Sequence, residues 1–125
     1  MNEIITQTER IVLDDSGIVK CKTFKGVLLT LADAKENIAA VKAIANGKIV
    51  PVLVDITEAK GGDKEARAYL AGKEAGAVQS ACALLIDSPL SQLIGNFFLG
   101  LNKTHFPTRL FNDEEKAMKW LKNFL

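Results

Sequence analysis

Two apolar runs, "IVPVLVDI" at Ile49 to Ile56 and "SACALLI" at Ser80 to Ile86, most limit what this chain can fold into. Neither alternates polar with apolar residues, as a half-solvated strand does. Both read as strands buried on two faces, with Pro51 and Asp55 the only interruptions of the first. A doubly buried strand needs covering layers above and below, and helices of the α/β class supply them.

The rest of the chain provides those helices. Thr30, with Asp33 three residues on, opens one in a short-armed capping box. Its buried stripe is Leu31, Ala34, Ile38, Val41 and Ala45, and Asn46 and Gly47 end it. Asp63 caps a second, weaker helix from Lys64 to about Gly72. Ser88 followed by Pro89 starts a third, with an apolar face of Leu90, Leu93, Ile94, Phe97, Phe98 and Leu101. Asn112 or Asp113 caps the last, which buries Ala117, Trp120, Leu121 and Phe124. Ahead of all these, Asp15, Ser16 and Gly17 turn a hairpin between Arg10–Asp14 and Ile18–Phe24. Thr108 to Phe111 is a short final strand. The expected fold is α/β: a β-hairpin followed by β-α repeats, with a mixed, mostly parallel sheet of about five strands and four helices. It forms a single domain over residues 1–125.

Composition narrows the function classes. With 16 basic and 15 acidic residues the net charge is +1, so nothing draws the chain to nucleic acid. Its apolar runs are far short of the roughly 20 residues of a membrane span, and "MNEIITQTER" lacks the pattern of a secretory signal. Cys21 and Cys82 lie in strand-like runs and read as packing thiols. These features give the expectation of a reduced, cytoplasmic protein.

No catalytic motif stands out. The single histidine, His105, and two distant cysteines do not make a zinc site, and no metal or cofactor is expected. "GGDK" at Gly61 to Lys64 has glycines and a lysine at a helix start. It lacks P-loop spacing, and Asp63 would repel an anion. The third helix has few charges on any side, so it is buried, lines a pocket or meets a partner. Gly95, Phe97, Phe98 and Leu99 are its candidate ligand or dimer surface. Leu99 lies off the apolar face, and a second copy of the chain is the simplest partner.

The order of elements, with Asp55 closing a strand before a glycine loop, resembles the STAS fold of the anti-sigma-factor antagonists (SpoIIAA-like) and of Sec14-like lipid proteins. "PVLVDI" at Pro51, "SPLSQLIGNFFLGLNK" at Ser88 and "PTRLFNDEEKAMKWL" at Pro107 are similar to an uncharacterised bacterial STAS/Sec14-like family. The resemblance implies a switch-like docking loop at Asp55, Thr57, Asp63, Lys64 and Glu65. Antagonists carry a phosphorylated serine just after the helix-opening aspartate. Here Lys64, Glu65 and Ala66 follow Asp63, and that phosphoacceptor is missing.

The expected function is therefore a non-enzymatic regulatory domain that docks a protein partner. The alternative is a binder of a small apolar or lipid-like ligand. A contiguous apolar cavity favours the ligand. A solid core with an exposed patch favours docking. Perturbed titratable groups sharing one cleft favour an enzyme.

Overall fold

The structure is a computed structural model that describes residues 2–101 and 103–125, with the side chains of Phe97 and Leu101 left undescribed. Its main sheet has six strands in the order β1-β2-β3-β5-β7-β8. β1 (Glu3–Ile5), β2 (Glu9–Leu13) and β3 (Val19–Thr23) are antiparallel, and β5 (Val50–Asp55), β7 (Gln79–Leu85) and β8 (Thr108–Phe111) continue from β3 in parallel. Two-residue strands β4 (Leu28–Leu29) and β6 (Gly61–Gly62) form a separate parallel ladder. The mostly parallel α/β sheet agrees with expectation. The strand count does not: β1 and the β4–β6 pair extend the five strands expected. β1 is only three residues long and forms by pairing with β2, a tertiary event with no local periodicity.

The hairpin closes as its residues dictate. Asp14 Oδ2 accepts from the Ser16 amide at 3.1 Å and from its hydroxyl at 2.6 Å. Gly17 takes a φ of +94°, which its lack of a Cβ allows. Pro51 stands fully buried in a central strand, where a missing amide hydrogen would break the ladder. The register shifts there. Val50 lies opposite Gln79 and Pro51 opposite Ala81, so Ser80 is skipped.

Four helices of eight residues or more match the four expected: α1 (Leu31–Ile44), α2 (Lys64–Ala71), α4 (Pro89–Leu101) and α5 (Glu114–Leu121). A single turn, α3 (Lys73–Gly76), follows α2, and a 3-10 turn ends the chain. The capping box at Thr30 and Asp33 is present, Asp63 accepts from the Ala66 amide, and Asp113 caps α5. Each parallel strand joins on the same side of the previous one, so crossovers of one hand put their helices on one face. α1 covers Ile11, Val19, Cys21, Val52 and Cys82 on that face. α5 covers the other, burying Ala117 and Leu121 against Leu53, Ala81 and Ala83.

The third helix faces inward differently from its expected stripe. Leu90 and Leu93 are 61% and 64% exposed, while Ser91 and Gly95 are buried and Ile94 and Phe98 are half-buried. A Cβ on Gly95 would come within 2.6 Å of Leu110 Cδ2, so this glycine serves close approach of α4 to β8 inside the chain. Leu99 is half-buried rather than on a solvated side.

Candidate functional site

Between the sheet and the α1, α2, α4 layer lies an apolar cavity of about 280 Å³. Its floor is the helix-facing side of the strands, including Cys21, Val52, Val54 and Cys82. These side chains are short. The roof residues, such as Ile38 and Val41 from α1, Leu70 from α2 and Phe98 from α4, stand above them and leave space. Close packing normally fills such a gap in a core of this size. One end wall is the connection after β5, where Ile56, Ala59, Lys60, Gly61 and Gly62 line the space.

Four buried polar side chains line it, Glu9, Thr23, Asn37 and Gln79, together with the less buried Lys60, Arg67 and Thr108. Glu9 opens β2 and sits directly opposite Thr23 in the register. Its Oε2 accepts from Thr23 Oγ1 at 3.1 Å. Burial pushes its pKa up to about 7, against the opposing pull of that hydrogen bond. Asn37 is spent on its neighbours. It donates to Thr8 Oγ1 at 2.9 Å and accepts from Thr6 Oγ1 at 2.6 Å. Among the described residues the buried Gln79 side chain has no hydrogen bond, at the end of the strands opposite Glu9 and Thr23. None of the four was singled out in sequence as a site residue. The signal for Glu9 was its place two residues before Ile11, on the same face of the strand, which becomes legible only once β2 is extended back by one residue.

Three titratable groups with shifted pKa values therefore share one cavity. Burial raises Cys82 to about 12 and Cys21 well above the ordinary thiol range, and the negative charge of Glu9 adds to both shifts. Both thiols stay protonated, as the sequence expectation of packing cysteines requires. Held as thiols they are poor nucleophiles. Among the described residues no group of three or more His, Cys, Asp or Glu is placed to hold a metal ion.

The switch-like segment divides between surface and cavity. Asp55 ends β5, with its Oδ1 accepting from the Thr57 amide at 2.9 Å and hydroxyl at 2.6 Å. Lys22 Nζ reaches Asp55 Oδ2 and Glu58 Oε1, each at 3.2 Å. Burial works to raise the Asp55 pKa, but the Thr57 and Lys22 hydrogen bonds outweigh it and hold the carboxyl below its ordinary range. Thr57 is thus bonded to a carboxylate, a poor setting for a phosphate. Asp63, Lys64 and Glu65 are exposed at the start of α2. Of the α4 candidates, Gly95 and Phe98 line the cavity, Leu99 is not among the lining residues, and the Phe97 side chain lies outside the described residues.

A second, open depression of about 490 Å³ runs beside Asp87, Ser88 and Gln92. The hydroxyls there cap α4: Ser91 Oγ accepts from the Asp87 and Ser88 amides at 3.0 and 3.1 Å.

The six-stranded mixed sheet and its covering helices form a fold of the SpoIIAA-like class. A solved structure of that fold, an uncharacterized protein of the DUF3478 family from Shewanella loihica PV-4, is similar at a TM-score of 0.56 and 20% identity, covering 95% of this chain and 90% of that one. A protein of unknown function from Arthrobacter sp. FB24 is 29% identical over 97% of this chain and 98% of its own, with a TM-score of 0.37. No curated protein matches. The chain belongs to the family described as Domain of unknown function (DUF7793), which residues 11–125 match.

Proposed function

We propose that the chain binds a small, largely apolar ligand in the cavity beneath α1, α2 and α4, in a non-enzymatic role, because the shifted groups that share it are two thiols held protonated, which are poor nucleophiles, and one carboxyl bonded to Thr23. The observation that carries this reading is the cavity itself: about 280 Å³, walled by aliphatic, aromatic and thiol side chains with few polar groups. That was the discriminating feature between ligand binding and docking. A space of this kind forfeits dispersion contacts while empty, and an apolar guest restores them.

The docking role expected of Asp55, Thr57, Asp63, Lys64 and Glu65 ranks second, because it rests on position in the fold alone. The two readings are physically joined. The connection that carries the switch-like residues also forms the cavity's end wall, so a guest would touch its inner side.

The test is a titration with 1-octanol followed by backbone amide NMR. Saturable shifts concentrated at Val52, Val54, Ala59, Gly61 and Phe98 are expected. Shifts spread over the exposed leucines Leu90 and Leu93, without saturation, would contradict the reading.

A further inference from the structure

Glu9 is 5% exposed and faces a cavity whose walls are largely apolar. One carboxylate oxygen accepts from Thr23 Oγ1. Among the described residues the other, Oε1, accepts no hydrogen bond. The neighbours on every packed element leave its charge uncompensated. β3 and β7 offer the Cys21 and Cys82 thiols, which its negative charge only makes harder to ionise. α1 offers Asn37, already bonded to Thr6 and Thr8. α4 offers Ile94 and Phe98. Arg67 of α2 donates from Nε to the Gly62 carbonyl at 3.1 Å, and Lys60 lines the loop side. Neither cation is among the influences on Glu9, which are burial and the Thr23 hydrogen bond. Arg10, next in the chain, pairs with Glu3 and is exposed.

A carboxylate in such a place lacks a donor, and a donor that brings positive charge compensates it best. Building on the cavity reading, we propose that Glu9 anchors the polar end of the ligand and that this ligand is an apolar amine, bound as its ammonium ion. The ammonium donates to the open Oε1, the alkyl part lies along the Val52, Val54 and Phe98 walls, and Thr23 holds the other oxygen in place. A carboxylic acid ligand has the opposite requirement, since it needs Glu9 protonated.

The two chemistries differ in the sign of their pH dependence. An alkylammonium keeps its proton from acid to neutral pH and beyond, as lysine does, so its affinity follows the ionised fraction of Glu9. That fraction rises as pH rises through about 7. The experiment is calorimetric titration of the wild type and Glu9→Gln with octylamine, octanol and octanoic acid, near pH 8.5 and near pH 5.5. Octylamine is expected to bind the wild type more tightly than octanol at the higher pH and about thirtyfold more weakly at the lower, where most Glu9 is protonated. In Glu9→Gln octylamine should hold no advantage over octanol. Octanol binding with no preference for octylamine would overturn the amine assignment and leave the cavity reading standing. So would an octylamine preference that survives in Glu9→Gln, or octanoic acid binding best at low pH. No binding by any of the three would overturn both.

Discussion

A carboxyl that titrates at about 7 when folded, against an ordinary value of 4.5, ties stability to pH at the scale of one residue. Between those values the native state holds the Glu9 proton more tightly than the unfolded chain does. Its stabilising contribution is complete below the unfolded pKa and is lost as pH rises through the folded one. The whole swing is about 3 kcal/mol. Asp14 and Asp55 have the opposite sign. Hydrogen bonds from Ser16 lower Asp14, and those from Thr57 and Lys22 outweigh burial at Asp55, so both lose stability as pH falls below the usual carboxylate range. Thermal melting should therefore decline from about pH 5 to pH 7.5, and Glu9→Gln should flatten that decline and melt higher at the alkaline end. A wild type with the same flat profile as the variant would mean that Glu9 is hydrated rather than buried.

At the scale of elements, local chemistry and tertiary packing separate cleanly. The starts of α1, α2, α4 and α5 were legible because a cap is a contact between residues two or three apart. Thr30→Ala should cost about 1 kcal/mol by removing one half of the capping box. The inward face of α4 was not legible. From Leu93 to Leu101 nearly every residue is apolar or glycine, so hydrophobic spacing leaves the helix's rotation undetermined. The packing of Gly95 on Leu110 fixes it and turns Leu90 and Leu93 outward. Leu93→Asp should consequently change stability by less than about 0.5 kcal/mol, while Leu99→Asp, at a half-buried position, should cost more than about 1 kcal/mol. Urea melts of the two variants check the order. Equal losses would mean that α4 is rotated from the position described.

The fold of the whole molecule could be read from alternation of strand and helix signals, because burial on both faces leaves a visible apolar run. The cavity could not. A void depends on how the short floor residues Cys21, Val52 and Cys82 meet the roof of three different helices, and no periodicity records that. The connection after β5 was legible as a loop, yet its inner side at Ile56, Ala59 and Gly61 was not, since only the folded molecule shows which way a loop faces. The proposed ligand role requires that this space accept a guest. Val54→Phe tests it most directly by placing a ring where the ligand would sit. Melting the wild type and this variant with and without 1-octanol is the measurement. Octanol is expected to raise the wild-type melting temperature and to leave Val54→Phe unmoved, with the unliganded variant at least as stable as the wild type because the ring fills empty volume. A variant destabilised by about 1–3 kcal/mol, as overpacking a solid core would cause, together with a wild type indifferent to octanol, would contradict it.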